Sequence, residues 1–196
     1  MTRKITKIII HHSVTPRNLE LEKSLKSFNN SHKIRLYKKH NQPLSWTKFP
    51  YIAYHFVISE DWEIKNTRLL KNIWYHASNL KINNESIGIC LCWNFDKEKP
   101  SNEQYKVLNN LIRKLKTELW ELEVEPHNKY ASYKTCPGKN FDMSLAVAGD
   151  YELLFKTWEN VWKSEVLRDI DGWIKKTWIK KELAYSLLIM LWRIKK

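Results

Sequence analysis

Seven histidines and three cysteines are the side chains of this 196-residue chain best suited to hold a metal ion. His11 and His12 close the β-branched run Ile8-Ile9-Ile10. His127 and Cys136 stand nine residues apart, in a stretch that ends Cys136-Pro137-Gly138. Together His11, His127 and Cys136 would offer two nitrogens and one sulfur. Three protein ligands with a fourth position open is the arrangement of a catalytic zinc, which makes a nucleophile of water near neutrality. Strand side chains alternate between faces, so only one of His11 and His12 can point into a given site. His32 and His40 read as structural or solvated, and His12 and His55 as supporting residues rather than ligands.

Those residues need elements to position them. Residues 5–13 read as a strand ending in polar residues, residues 51–58 as a second, and residues 86–93 as another, because β-branched and aromatic residues dominate each. Glu60-Asp61-Trp62-Glu63 reads as a turn into a further strand, without the glycine such a turn prefers. Residues 18–41 read as a surface helix and loop, and 42–50 as loop. Ser101 and Gln104 have the spacing of a capping box. Val107, Leu108, Leu111, Ile112, Leu115 and Leu119 follow at helical period. Residues 123–142 contain Pro126, Pro137 and Gly138 and read as loop. Cys90 and Cys92 share one face of their strand and read as core thiols. Strands and helices are thus mixed over 1–149. From Gly149 the pattern turns helical, and 150–196 reads as a basic, Trp-rich helical extension.

Composition narrows the function. Glycine occurs 4 times, about 2% of the chain against a usual ~7%. No glycine-rich phosphate-binding loop is present. The 34 Lys and Arg outnumber 21 Asp and Glu, for a net charge of +13. Such a surface favours an anionic partner: nucleic acid, acidic lipid or an acidic cell wall. An odd number of cysteines gives no complete disulfide framework and suits a reducing compartment. No secretory leader pattern is visible. The longest apolar stretch, around Leu183 to Trp192, is short of the ~20 residues that span a bilayer.

Five fragments then occur in a telling order: Ile9-Ile10-His11-His12-Ser13, Tyr54-His55-Phe56-Val57-Ile58, Trp74-Tyr75-His76-Ala77, Ser86-Ile87-Gly88-Ile89, and His127 followed by Lys134-Thr135-Cys136-Pro137-Gly138. Over roughly residues 5–145 the chain resembles the type 2, zinc-dependent N-acetylmuramoyl-L-alanine amidases, a family that includes phage lysozyme-type amidases and peptidoglycan recognition proteins. The resemblance implies an α/β fold: a mixed central β-sheet flanked by helices, with a zinc ion in a surface groove. It implies that His11, His127 and Cys136 ligate Zn2+, one per chain. It implies that Tyr54 and Lys134 are catalytic, Tyr54 near the scissile carbonyl and Lys134 against the developing oxyanion. His76 matches a residue lining the substrate groove, and His12 is grouped with it on the substrate side. Cys136 favours cleavage over simple binding, because family members with serine there tend to bind without cutting. Trp62 and Trp93 stand where the family usually has glycine.

The activity expected is cleavage of the amide between N-acetylmuramic acid and L-alanine in bacterial peptidoglycan, as in a phage or prophage endolysin. Such a lysin accumulates in the host cytoplasm before release to the wall. Residues 173–196 hold seven Lys and Arg and one acid, so the extension is expected to pack on the body, to meet an anionic membrane or wall surface, or to mediate oligomerisation. Two alternatives stand beside the enzyme. One is a non-catalytic peptidoglycan binder. The other is an amidase that also regulates a viral RNA polymerase, although no nucleic-acid-binding motif is present and nucleic acid is not the expected partner. The sequence sets no oligomeric state.

Overall fold

In the computed structural model, residues 3–37 and 48–147 are described, and all of them lie in the unit Met1–Asp150. The helical extension expected for 150–196 lies outside the described residues, as does His40. The elements run β1 (Lys7–His12), α1 (Leu21–His32) with a π-helical turn Lys33–Tyr37, β2 (Phe56–Ile58), β3 (Ile64–Asn66), α2 (Leu80–Glu85), β4 (Ser86–Leu91), α3 (Asn102–Leu119) and β5 (Glu123–Pro126), which leads into a 3-10 turn, His127–Lys129.

The five strands form one mixed sheet in the order β3-β2-β4-β1-β5. β4 pairs in parallel with β1 and β2, β5 in parallel with β1, and β3 antiparallel with β2. Central parallel strands are covered on both faces, so they read as continuous apolar runs. Every residue of β4 is buried, and so is β1 from Ile8 to His12. Period-two alternation then divides them. Ile8, Ile10, Ile87, Ile89 and Leu91 join the core with Leu108, Leu111, Ile112 and Leu115 of α3. Each such aliphatic side chain contributes about 1.5–3 kcal/mol on burial. The other face takes Ile9, which packs with Ala77 and Ile82, while Val57 and Cys92 meet Leu21, Leu25 and Phe28 of α1. α3 starts as its local sequence dictates: Ser101 accepts from the Gln104 amide, and the Gln104 side chain accepts from the Ser101 amide.

Two sequence expectations need correction. The strand expected over 51–58 spans only Phe56–Ile58. The reason is Arg68, fully buried, whose guanidinium donates to the carbonyls of Ile52 and of Pro50 (2.8 Å) and so takes groups a ladder would have used. The loop expected over 123–142 begins instead with β5, whose Glu-Val-Glu-Pro sequence carries too few apolar residues to signal a strand. α2 also goes unannounced by the sequence. Its N-cap is Asn79, which accepts from the Ile82 amide at 3.1 Å. Among the described residues, no helix is long and apolar enough to cross a membrane.

Both tryptophans at expected glycine positions have positive φ, 69° at Trp62 and 113° at Trp93. An L-residue is strained there. Trp93 is buried, with the Arg17 guanidinium 4.0 Å from its ring centre. Trp62 is 52% exposed in the β2–β3 turn, with little packing to offset the strain. Trp62→Gly is therefore expected to raise unfolding stability by about 0.5–1 kcal/mol, read from urea denaturation. A lower midpoint would show that the indole contributes more than the strain costs.

Candidate metal centre

The parallel register assembles the site. Lys7 pairs with Glu123 and Ile10 with Pro126, so His127 follows the last pair of β1 and β5 and emerges beside His11. Their ring centres are 4.4 Å apart. His11 is itself paired with Cys90 on the other side. The chain then turns through Ala131 and Lys134, and the Asn128 amide donates to the Cys136 carbonyl at 2.7 Å, which closes the loop and brings the thiol back to β1. The site thus sits at the carboxyl ends of parallel strands, where open α/β sheets place their ligands.

The ligand atoms of His11, His127 and Cys136 all lie within 4.8 Å of one another. His11 Nδ1 is 3.7 Å from Cys136 Sγ. Zinc–sulfur and zinc–nitrogen bonds of about 2.3 and 2.0 Å at a tetrahedral angle put such atoms about 3.5 Å apart. His127 Nε2 is buried with no hydrogen-bond partner, a cost on the order of 1–3 kcal/mol unless a ligand takes it. Burial pushes the Cys136 thiol up to about 12, against the opposing pull of the His12 amide and the Lys134 charge. The His12 amide donates to Cys136 Sγ at 3.4 Å. Desolvation also lowers His127 to about 4, helped by Lys134, and drives His11 well down, so both rings are neutral donors. Neutral imidazoles with a thiol that releases its proton in exchange for a cation are the donor set of a borderline-soft divalent ion. The residues fit zinc.

Of the other expected residues, strand alternation turns only His12 away from the site. His12 faces the α3 side, where its Nδ1 accepts from the Phe95 amide at 3.1 Å. Its ring therefore supports the 95–96 loop, while its backbone serves Cys136. His76, for which the resemblance implies a groove-lining place, is buried behind His11: His11 Nε2 and His76 Nδ1 are 3.0 Å apart. The Tyr54 ring centre is 5.0 Å from that of His11. Its phenol lies against the Cys90 thiol, and burial raises its pKa well above the ordinary value. Lys134 is exposed at the rim, close enough for its charge to disfavour protonation of both ligand histidines. His32 and His55 are structural. His32 accepts from the Ala53 amide at 3.1 Å and His55 from the Gly88 amide at 3.0 Å, and burial lowers each to about 3.

Sequence reasoning placed Ser86 and Gly88 in one of the recognised fragments but gave neither a role. A Cβ on Gly88 would lie 2.9 Å from the His76 ring, so only glycine leaves room for that imidazole. The available signal was an isolated glycine inside a strand, which marks a close approach. Ser86 carried no such signal.

The family model for N-acetylmuramoyl-L-alanine amidase matches residues 1–139. Among solved structures, the chain is similar to the N-acetylmuramoyl-L-alanine amidase LysC from Clostridium intestinale URNW, at 24% identity over 73% of this chain and 83% of that one, with a TM-score of 0.59. It is similar to the endolysin amidase LysCS from the same organism, at 25% identity over 73% and 81%, with a TM-score of 0.58. A Drosophila PGRP-LB mutant in complex with tracheal cytotoxin shares the fold at 21% identity over 74% and 81%, with a TM-score of 0.57. No curated protein matches significantly.

Proposed function

Since the chain belongs to the N-acetylmuramoyl-L-alanine amidase family, and is by that membership a peptidoglycan amidase, we propose that it is a zinc-dependent endolysin whose metal ligands are His11, His127 and Cys136. The single observation behind the metal assignment is the convergence of three donors from β1, the β5 exit and the 131–136 loop, one of them an orphaned buried nitrogen. When bound there, zinc would polarise the scissile carbonyl and lower the pKa of a water molecule.

The remaining work falls to the chain. Lys134, at the rim, presents positive charge to the carbonyl oxygen as negative charge grows on it; one such preorganised donor is typically worth about 3 kcal/mol in the transition state. The Tyr54 ring closes the side of the site next to His11, and burial keeps its phenol, which lies against the Cys90 thiol, protonated. The His12 amide donates to the Cys136 sulfur and would stabilise it as a thiolate once a metal displaces the thiol proton. The likeness to the LysCS endolysin amidase supports the endolysin reading; manufacture in the host cytoplasm before release to the wall is part of the same proposal. The surplus of Lys and Arg in residues 173–196 supports association with an anionic envelope, as a charge argument only.

Digestion of purified sacculi tests the reading. Mass analysis is expected to show peptides with a new L-alanine amino terminus and intact glycan strands, with the activity lost to a chelator and restored by zinc. Retained glycan–peptide linkages would overturn it, and tight binding to sacculi without turnover would favour the non-catalytic alternative.

A further inference from the structure

We propose that Ser86 and His76 form a directed hydrogen-bond chain that holds His11 in the one tautomer able to offer Nδ1 to the Cys136–His127 site. The inference deepens the metal reading above and rests on it for its functional meaning.

The direction follows from which atoms carry protons. Ser86 Oγ is in short hydrogen-bond contact with the carbonyl oxygen of Ile82. A carbonyl has no proton to give, so the hydroxyl proton points at Ile82. Ser86 Oγ can then only accept from its second partner, His76 Nε2, 3.2 Å away. His76 is therefore protonated at Nε2. Its ring is buried, and its partners Ser86 and His11 are neutral, so it carries a single proton and its Nδ1 is a bare acceptor. The His11 Nε2 proton points into that acceptor across 3.0 Å. His11 Nδ1 is left with a lone pair, and that is the atom facing Cys136 Sγ. An outer partner of this kind fixes a ligand's tautomer and ring orientation.

The surroundings are built around this chain. Asn83 Oδ1 accepts from the amides of His76 (3.0 Å) and Ala77 (2.8 Å), so α2 grips the His76 backbone. α2 also carries Ile82, whose carbonyl starts the sequence of bonds. Ser86 opens β4 directly after α2, and Gly88, two residues on, supplies the space for the ring. The short helix that the sequence did not announce thus ends in the device that orients the first ligand. Ser86 and His76 are positioning residues; neither touches substrate.

Two measurements test it. In metal-free wild-type protein with isotope-labelled histidine, long-range proton–nitrogen spectra near neutral pH are expected to show His11 protonated at Nε2 and bare at Nδ1. The opposite tautomer would overturn the proposal whether or not the protein binds zinc. Zinc affinity, by competition with a chelator, is expected to weaken about tenfold in Ser86→Ala and about tenfold to a hundredfold in His76→Phe. His76→Asn should recover part of the loss, because its side-chain carbonyl can accept near the Nδ1 position. Affinity within twofold of wild type in folded Ser86→Ala would overturn the proposal. Should His76→Phe not fold against Gly88, Ser86→Ala and the wild-type spectra still decide. A wild type that binds no zinc but shows the expected tautomer would defeat the metal reading and leave the hydrogen-bond chain standing.

Discussion

Cys136→Ser is expected to emerge from dialysis without zinc, under conditions in which the wild type keeps about one ion per chain, and to leave sacculi uncut. A serine hydroxyl does not ionise as a ligand near neutral pH, and it replaces a soft, charged sulfur by a hard, neutral oxygen. The site would keep two neutral imidazoles, too few to hold the ion against competition, and hydrolysis should fall by on the order of 10³-fold or more as the water-activating charge is lost. Sulfur and oxygen differ little in volume, so metal-free variant and metal-free wild type should unfold at similar denaturant concentrations. That comparison separates loss of the ion from loss of the fold. Stoichiometric zinc in the variant, or cleavage within a few fold of wild type, would show that Cys136 is a buried thiol and not a ligand.

The largest stability effect should come from a residue with no part in the chemistry. Arg68→Ala is expected to cost about 3–5 kcal/mol, read as a shift in the urea midpoint. The side chain is fully buried, and burial lowers its pKa to about 9. It donates to the Ile52 and Pro50 carbonyls, and its guanidinium lies 3.7 Å from the centre of the Trp74 ring. Truncation leaves two carbonyls unpaired and a cavity beside an indole. Arg68→Lys should rescue little, because one ammonium cannot reproduce a planar fork that bonds two carbonyls and stacks on a ring. The held segment, Pro50 to Tyr54, carries the Tyr54 ring to within 5.0 Å of His11, so folded Arg68→Ala should also cut more slowly. A midpoint shift worth less than about 1 kcal/mol would mean that the carbonyls find other partners.

Residues 51–55 show why composition misled there. Tyr51, Ile52 and Ala53 look like strand because their types suit a half-buried pleated surface, but β-propensity reports packing context more than backbone preference. A distant arginine competes for the same carbonyls and wins. β5 is the converse case. Glu123–Pro126 lacks the apolar alternation of a strand, yet it pairs with β1 through its backbone, and backbone pairing leaves no mark on residue type. The α3 capping box was legible because all its partners lie within four residues.

The sequence by itself determined the chemistry available: two imidazoles and a thiol in a recognisable order, a lysine two residues before the thiol, and an apolar strand to carry the first histidine. These are properties of residue type and short spacing. Tertiary structure alone decided which atoms face one another. The β1–β5 register sets His127 beside His11, and alternation along β1 sends His12 to Phe95 instead. Ser86, 75 positions from His11 in the chain, dictates which nitrogen of that ring carries the proton. Long-range pairing does this because each hydrogen bond has a donor end and an acceptor end, and no residue can assign them before its partner is in place.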